Sequence, residues 1–251
     1  MNRFRLDGKV AIITGATSGI GRTAAIGLAE FGADVVVLGK TQNPEEIANE
    51  IRAIGRKSLA FQGDICDTGF VDETVKEILT HWGRMDILLN SAGITFRAPA
   101  ASFPEAVWDR VVDLNLTALF RMCQRVGRQM IKQKGGKIIN VASVASFSGG
   151  IITPAYVASK GGVAQVTKAL ANEWAPLNIN VNAIAPGYIL TEMTRALYND
   201  PVRSKEIVSR TPAARWGEPE DLVGAIVFLA SPASDFVHGH ILLVDGGWMS
   251  R

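Results

Sequence analysis

Short apolar segments alternate with longer amphipathic segments along almost all of the 251 residues. Such alternation is typical of βαβ units arranged around a parallel sheet. Segments such as Val35-Val36-Val37 are apolar at consecutive positions, as expected for strands that helices cover on both faces. The pattern therefore predicts an α/β fold, a doubly wound parallel sheet with helices on both faces. The predicted strands are Val10 to Thr14, Asp34 to Leu38, Ser58 to Gln62, Ile87 to Asn90, Gly136 to Ala142, Asn178 to Ile184 and Ile241 to Val244.

The amphipathic segments predict six helices, several of which begin with proline, whose missing N–H is harmless in the first turn. No internal repeat or linker interrupts the series, so we expect one domain over residues 1–251. The irregular segment 187–218 is predicted to be a substrate loop or lid, and the alternative is an ordinary surface excursion with a short helix. The predicted helices are Gly19 to Phe31, Pro44 to Ile54, Gly69 to Trp82, Pro104 to Gln133, Pro154 to Trp174 and Pro219 to Ala230.

Composition and charge argue against several classes of function. The 26 basic and 24 acidic residues are mixed along the chain and give a net charge of +2, so nucleic acid is not an expected partner. Cys66 and Cys123 lie far apart without CxxC or Cys/His spacing, so neither a disulfide framework nor a metal site is predicted. No apolar stretch approaches the roughly 18 residues of a membrane span, and residues 1–8 lack a signal-peptide core, which favours a cytoplasmic protein.

A glycine-rich turn follows the first predicted strand. Gly15, Gly19 and Gly21 lie between this strand and the body of the first predicted helix. Glycines let the backbone approach a pyrophosphate closely, and a helix N-terminus offers unpaired N–H groups and a favourable dipole. The spacing is GxxxGxG instead of the usual GxGxxG, but its place between strand and helix predicts a Rossmann-type dinucleotide site.

The ends of later strands extend this predicted site. Gly39 and Lys40 stand where NAD enzymes commonly carry an acidic residue, and a cation there suits the 2′-phosphate of NADP; alternatively, Lys40 is simply solvated. Asp64 is a candidate acceptor for the adenine amino group, or else a turn or helix-cap carboxylate. The segment Asn90-Ser91-Ala92-Gly93 ends the fourth strand with small residues, which let a nucleotide pass close to the backbone. Lys40 thus favours NADP, while NAD stays open.

Tyr156 and Lys160 are the main candidates for chemistry. If their segment is helical, the i, i+4 spacing puts both side chains on one face, one turn apart. A free tyrosine titrates near pH 10, and a lysine ammonium within a few ångströms stabilises its anion. The pair is therefore predicted to transfer protons, although Tyr and Lys also occur at this spacing by chance on many amphipathic helices.

These motifs, in this order, resemble the short-chain dehydrogenase/reductase family over essentially the whole chain. Residues 14–21 resemble the cofactor turn of that family, and residues 90–93 resemble its Asn-Asn-Ala-Gly element, with Ser91 in place of the second Asn. Pro186-Gly187, followed by Thr191, resembles its nicotinamide-side segment. The resemblance implies a catalytic tetrad of Asn115, Ser143, Tyr156 and Lys160.

The same resemblance implies a role for each residue of the tetrad and a set of cofactor contacts. Tyr156 is expected to exchange a proton with the substrate oxygen, which Ser143 holds. Lys160 is expected to stabilise the tyrosinate and hold the nicotinamide ribose, while Asn115 binds a water that connects Lys160 to solvent. The implied cofactor contacts are Gly15, Thr17, Ser18, Gly19, Ile20, Gly21, Gly39, Lys40, Asp64, Ile65, Asn90, Ala92, Gly93, Tyr156, Lys160, Pro186, Gly187, Ile189 and Thr191.

A narrower resemblance concerns the substrate. Several segments are similar to the 2-keto-3-deoxygluconate (2-deoxy-D-gluconate 3-) dehydrogenases, and some of them are shared with the gluconate 5-dehydrogenases. The former group is usually taken to use NAD, which opposes the Lys40 argument. Arg97 resembles an arginine of the sugar-acid dehydrogenases and is expected to pair with a substrate carboxylate, unless it is a solvated loop arginine. The similar segments are 171–175, 185–188, 212–217 and 245–248. The expected substrate contacts are Arg97, Ser143, Tyr188 and Met193.

Three functions are therefore considered. The leading one is a nicotinamide-dependent oxidoreductase acting on a secondary alcohol or ketone of a small sugar acid. The second is a 3-oxoacyl-thioester reductase, which would be expected to carry a basic patch for an acidic carrier protein. The third is a dinucleotide-binding scaffold or redox sensor, which has no need for Ser143, Tyr156 and Lys160 together. The family resemblance further implies a homotetramer.

Overall fold

Seven parallel strands form one sheet in the computed structural model, which describes residues 3–251. The predicted α/β class is confirmed, and the strand bounds differ from the predicted ones by at most two residues. The strands are β1 Val10–Thr14, β2 Asp34–Gly39, β3 Ser58–Gln62, β4 Ile87–Asn90, β5 Gly136–Val141, β6 Ile179–Pro186 and β7 Ile241–Val244. Their order across the sheet is β3-β2-β1-β4-β5-β6-β7.

The described residues form nine α-helices, three more than the sequence pattern predicts. The last predicted helix differs at its start, because Pro219–Leu222 forms a 3₁₀ turn before the α-helix begins. None of the helices within residues 3–251 is both long enough and apolar enough to cross a membrane. The helices are α1 Gly19–Glu30, α2 Pro44–Ala53, α3 Thr68–Trp82, α4 Glu105–Val112, α5 Leu119–Lys132, α6 Pro154–Trp174, α7 Arg195–Tyr198, α8 Pro201–Arg210 and α9 Val223–Ala230.

Two apolar cores lie on opposite faces of the sheet. Because successive strand side chains point to opposite faces, Ile12 packs in the core with helices α3, α5 and α6, whereas Ile13 packs with α1, α2 and α9. Full burial of one such side chain contributes about 1.5–3 kcal/mol to stability. The consecutive apolar residues of the strands therefore hold helices against both faces, as the sequence pattern predicts.

The predicted long helix from Pro104 to Gln133 is interrupted. A π-helical turn, Asp113–Ala118, separates α4 from α5. It contains the fully buried Asn115, whose side chain is held by the segment after β4. Such π-turns are frequent at functional sites, because the extra residue redirects side chains. The interruption thus places a polar side chain where a regular helix would give a different direction.

The segment 187–218, called the lid segment below, contains two helices instead of one irregular excursion. Asp200 caps α8, because its Oδ1 accepts hydrogen bonds from the backbone N–H of Val202 at 3.0 Å and of Arg203 at 3.1 Å. Pro201 follows at the first helical position, so the sequence did carry a start signal for this helix. Tyr188 contacts Trp216 edge-on and the ring of Trp248 at a tilt, and the second contact joins the lid segment to the segment after β7.

The fold creates a crevice where the strand order reverses, between β1 and β4. Thr14 pairs with Asn90 at the carboxyl ends of these strands. Crevices of this kind are where open α/β sheets bind ligands. The turn after β1 and the turn after β4 touch there, since a Cβ on Gly15 would lie 2.8 Å from the Cα of Ala92. The Thr14 hydroxyl oxygen accepts hydrogen bonds from the N–H of Ser91 at 3.1 Å and of Ala92 at 3.2 Å, which fixes the second turn.

Candidate active site

A cavity of 490 Å³ runs along the carboxyl edge of the sheet, from the glycine-rich turn to Tyr156 and Lys160. Most of the residues predicted for the cofactor and for catalysis meet in this one cavity. Residues not singled out from the sequence, such as Thr95 and Glu192, also line it. The predicted residues that line the cavity are Gly15, Ser18, Gly19, Ile20, Gly21, Ala92, Gly93, Arg97, Ser143, Tyr156, Lys160, Pro186, Gly187, Ile189, Thr191 and Met193.

The N-terminus of α1 is open toward this cavity. Ser18 precedes the helix, but its side chain makes no capping hydrogen bond. Asn43, Asp67 and Asp200, in contrast, cap α2, α3 and α8 with their side chains. The first N–H groups of α1 therefore lack the side-chain partner that those of α2, α3 and α8 have, and such groups bind phosphate well. The helix N-terminus and its glycine turn fit the pyrophosphate of a dinucleotide.

Lys40 and Asp64 form an ion pair beyond the end of this cavity. Lys40 Nζ lies 2.5 Å from Asp64 Oδ2, and the Asp64 Oδ1 also accepts from Cys66 N at 2.9 Å. The pair holds the pKa of Asp64 below its usual range despite partial burial, and it raises the pKa of Lys40. Lys40 is therefore not simply solvated, and Asp64 serves both the turn and the lysine. Gly39, the residue before Lys40, lies against the side chain of Thr17. Ile65, the residue after Asp64, is buried.

The side chain of Asn90, a predicted cofactor contact, lies inside the protein. Its Nδ2 donates to Asn140 Oδ1 at 2.9 Å and contacts Cys123 Sγ at 3.2 Å. Asn140 in turn donates to the hydroxyl of Thr167 on α6 at 2.9 Å. This buried chain of polar groups connects β4, β5, α5 and α6 below the cavity. The side chain of Asn90 thus holds the floor of the site, and it does not line the cavity.

Ser143, Tyr156 and Lys160 line the same cavity. Ser143 follows β5, and its Oγ accepts a hydrogen bond from Ala145 N at 3.1 Å, so it caps the next turn. The ammonium of Lys160 lies 5.8 Å from the centre of the Tyr156 ring and donates to the Val141 carbonyl at 2.6 Å. Tyr156 and Lys160 lie one helical turn apart on α6, as their spacing predicts.

Asn115 braces the site through its side chain. Its Oδ1 accepts from Ile94 N at 2.8 Å, while its Nδ2 donates to Ile94 O at 2.9 Å and to Ser159 Oγ at 3.1 Å. The Ser159 hydroxyl then donates to the carbonyl of Tyr156 at 2.8 Å. Both amide hydrogens are used, so the side chain has no donor left for a water. It joins the segment after β4 to the turn of α6 that carries Tyr156.

Burial acts against both charged forms of the predicted pair. Burial raises the pKa of Tyr156, while the hydrogen bond with Ser143 and the positive charge of Arg97 lower it in part. Burial lowers the pKa of Lys160 to about 8. A neighbouring ammonium lowers the pKa of a tyrosine, but burial opposes this and has the largest effect on the pKa of Tyr156 in the protein alone.

The low pKa of Lys160 makes the stability of the protein depend on pH. Between pH 8 and 10.5 the unfolded chain keeps a proton that folded Lys160 has released, so the stability contribution of this residue rises with pH. We expect the free energy of unfolding of the wild type to gain roughly 3 kcal/mol relative to Lys160→Met over this range. Urea unfolding of both proteins from pH 7 to pH 10 measures the difference, and a difference that is independent of pH would contradict the assignment.

A second cavity of 260 Å³ adjoins the first and shares Arg97, Ser143, Tyr156 and Met193 with it. Tyr188 lines this second cavity but not the first, and the second is called the substrate cavity below. The side chain of Arg97 makes no hydrogen bond or ion pair with any residue in the range 3–251, although it is partly buried. A guanidinium in this position is available to a ligand.

Several residues of the substrate cavity were not found from the sequence. Ile151, Ile152 and Thr153 come from the segment before α6, and Leu197 and Arg203 come from the lid segment. They belong to no motif, and the order of the chain does not show that these segments face each other. Ile152 carries one local signal in the structure, a φ of 55°, which is unusual for a β-branched residue.

Comparisons with known proteins agree with this geometry. A family model described as enoyl-(acyl carrier protein) reductase matches residues 15–249. A 2-dehydro-3-deoxy-D-gluconate 5-dehydrogenase of Dickeya dadantii is 50% identical over 100% of this chain and 99% of that protein. A 5-keto-D-gluconate 5-reductase of Escherichia coli is 44% identical over 98% of this chain and 97% of that protein.

A solved structure is similar over the same length. The gluconate 5-dehydrogenase of Burkholderia cenocepacia, in complex with NADP and tartrate, has a TM-score of 0.95 and 42% identity, covering 100% of this chain and 98% of that one. Both the fold and the arrangement of motifs extend over nearly the whole chain. The chain therefore belongs to the short-chain dehydrogenase/reductase family.

Proposed function

We propose that the protein is an NAD(P)-dependent oxidoreductase that interconverts a secondary alcohol and a ketone of a sugar acid. One observation carries this proposal: Tyr156 and Ser143 line both a dinucleotide-sized crevice and a substrate cavity that contains the unpaired Arg97. Each of the sugar-acid relatives described above matches almost the full length of the chain. A non-catalytic dinucleotide-binding scaffold would not need the hydroxyls of Tyr156 and Ser143 at the junction of two cavities.

The cofactor fits the first cavity in its general chemistry. The open N-terminus of α1 is proposed to hold the pyrophosphate, and Lys160 to hold the ribose next to the nicotinamide. Gly93 keeps the floor free there, because a Cβ at this position would lie 3.2 Å from Asn115 Oδ1 and 3.8 Å from Lys160 Nζ. When bound, the nicotinamide accepts or donates the hydride, which is chemistry that protein side chains do not supply.

The side chains of the site are proposed to control the proton and the substrate oxygen. Tyr156 exchanges a proton with that oxygen, while the Ser143 hydroxyl holds it in place. Because burial raises the pKa of Tyr156, the phenol holds its proton firmly in the protein alone. The Lys160 ammonium and the positive charge of Arg97 favour the phenolate when the proton leaves. We propose that any water bound at Asn115 uses its backbone carbonyl, since the side-chain donors are taken.

Arg97 is proposed to bind the substrate carboxylate. Its positive charge acts on Tyr156, so it lies close enough for a small acid to reach both side chains. None of the sixteen residues that line the substrate cavity within the described range is acidic. Such a cavity attracts anions, and a guanidinium binds a carboxylate with two parallel hydrogen bonds. A thioester has no carboxylate at this place, which favours the sugar acid over the 3-oxoacyl-thioester.

A substrate panel tests the proposed function. Gluconate, its keto and deoxy derivatives, the corresponding neutral polyols and a 3-oxoacyl-thioester are supplied with NAD(H) or NADP(H), and turnover is followed at the nicotinamide absorbance band. We expect turnover of at least one sugar acid with a much higher kcat/KM than that of its neutral analogue. Preference for the thioester, or equal use of acid and neutral polyol, would overturn the proposal.

The Lys40–Asp64 pair provides a separate prediction about the choice of cofactor. A 2′-phosphate would compete with Asp64 for the Lys40 ammonium, whose side chain is 65% exposed and therefore weakly held in the pair. We expect both cofactors to bind. Lys40→Ala should weaken the binding of NADP about tenfold and change the binding of NAD little. Asp64→Asn should shift the ratio of the two cofactor affinities in favour of NADP. Dissociation constants for NADPH and NADH, from the fluorescence of the reduced nicotinamide, measure this. Equal effects of Lys40→Ala on both cofactors would contradict it.

Other features of the protein stay predictions. We propose that residues 1–251 act as one domain, with the lid segment covering the substrate. A homotetramer is proposed on the family resemblance, and the exposed Trp108 and Phe120 on α4 and α5 suit a shared interface. Light scattering after size exclusion measures the oligomeric state. A cytoplasmic location is expected from the sequence, and cell fractionation tests it.

A further inference from the structure

A second guanidinium lines the substrate cavity, outside the predicted site. Arg203 of α8 shares this cavity with Arg97, Ser143 and Tyr156. No acidic residue in the described range lines the cavity, so the two arginines give its lining a positive charge, although Glu206 outside the lining pairs with Arg203. A cavity of this kind selects an anion, and its two charged walls belong to different parts of the chain.

The position of Arg203 is not explained by the stability of its helix. It is the third residue of α8, and a cation in the first turn is disfavoured by the helix dipole. Its Nη1 lies 2.6 Å from Glu206 Oε2, but the two side chains are 43% and 57% exposed, so this ion pair stabilises little. The Nε and Nη2 groups make no hydrogen bond with residues 3–251. Two of its donor groups are thus available to a ligand.

We propose that Arg203 is a specificity-determining residue that binds the substrate carboxylate together with Arg97. This inference rests on the proposed function and adds a contact from the lid segment. One carboxylate has about four acceptor positions, so two guanidinium groups can share it. Because α8 belongs to the lid segment, a bound acid draws the lid segment toward Tyr156, whereas a neutral polyol does not. Selectivity for acids then depends on both arginines.

The test compares Arg203→Met with Glu206→Gln, which removes the ion pair but keeps the guanidinium. KM and kcat are measured for gluconate, or the sugar acid preferred in the substrate panel, and for the matching neutral polyol. Arg203→Met is expected to raise KM for the acid about tenfold and to change KM for the polyol less than about twofold. Glu206→Gln is expected to leave KM for the acid unchanged or lower it. An unchanged KM in Arg203→Met, or equal increases for acid and polyol, would overturn the proposal.

A binding measurement without turnover gives an independent readout. Trp216 Nε1 donates to the hydroxyl of Ser204, next to Arg203, at 3.0 Å, so its fluorescence should respond when α8 moves. We expect gluconate to change the fluorescence of Tyr156→Phe saturably, with a midpoint about tenfold higher in Tyr156→Phe/Arg203→Met. The response should disappear when Trp216→Phe is added. Equal midpoints with and without Arg203 count against the proposal.

The failure of this inference differs from the failure of the proposed function. If the wild type turns over no sugar acid, the proposed function is wrong and Arg203 loses its ligand with it. If the wild type turns over the acid and Arg203→Met binds it equally well, only the role of Arg203 is wrong.

Discussion

Tyr156→Phe is expected to lower kcat for the sugar acid by about 10²–10⁴-fold, because it removes the hydroxyl that exchanges the proton and keeps the ring. The aromatic ring is partly buried, and Phe fills the same space, so the fold should be unaffected. Dinucleotide binding should also survive, since the open N-terminus of α1 and Lys160 are unchanged. Steady-state kinetics and nicotinamide fluorescence on the same sample measure both quantities.

Ser143→Ala provides a matched control for this result. The Ser143 hydroxyl lies at the same junction and accepts from Ala145 N, but it does not carry the transferred proton in our account. Ser143→Ala should therefore retain more turnover than Tyr156→Phe. Full retention of turnover in Tyr156→Phe would exclude a catalytic role for the tyrosine, and a loss of dinucleotide binding in this variant would mean that the ring holds the cofactor.

Arg97→Met is expected to have the second largest effect, a rise in KM for the sugar acid of about 10–100-fold with little change in KM for a neutral polyol. A charge-assisted contact with a carboxylate contributes about 1.5–3 kcal/mol, and no other residue of the described chain occupies this guanidinium. Michaelis constants for the acid and the polyol give the comparison directly.

Arg125→Met is the control for the change of charge. Arg125 lies on α5, pairs with Asp72 at 2.8 Å and lines neither cavity. The KM values of Arg125→Met should therefore equal those of the wild type. If Arg97→Met raised KM for acid and polyol to the same extent, Arg97 would support the shape of the cavity and would not recognise the carboxylate.

The strands and the main site could be predicted because their signals are local. Consecutive apolar residues fix buried parallel strands, and the motifs after β1 and β5 lie at strand ends, which share one edge of the sheet. The spacing of Tyr156 and Lys160 fixes their common face once the segment is helical. These features depend on neighbours in the sequence, so they can be read without the fold.

The remaining features depend on contacts between distant segments. The π-helical turn arises where Asn115 meets Ile94 and Ser159, and no pattern within residues 104–133 announces that contact. Asn90 turns inward because Asn140 offers it a partner from the next strand. Arg203 reaches the substrate cavity only because the lid segment folds over it. Sequence reasoning finds the residue type in such cases, but it does not find the partner.

The pKa values of Tyr156 and Lys160 also depend on residues that are distant in the sequence. The sequence suggests a lysine that lowers the pKa of a neighbouring tyrosine. In the folded protein, burial raises the pKa of Tyr156 and lowers that of Lys160 to about 8. Desolvation depends on everything that surrounds a group, so its size cannot be derived from two residues and their spacing.

The most direct test of the central claim is a crystal structure of Tyr156→Phe with NADP⁺ and gluconate. Our account predicts the carboxylate against Arg97 and a secondary hydroxyl of the acid at about 2.7–2.8 Å from Ser143 Oγ, facing position 156. The dinucleotide should lie along the crevice between β1 and β4. An acid bound away from Ser143, or with its carboxylate directed away from Arg97 and into solvent, would contradict the account.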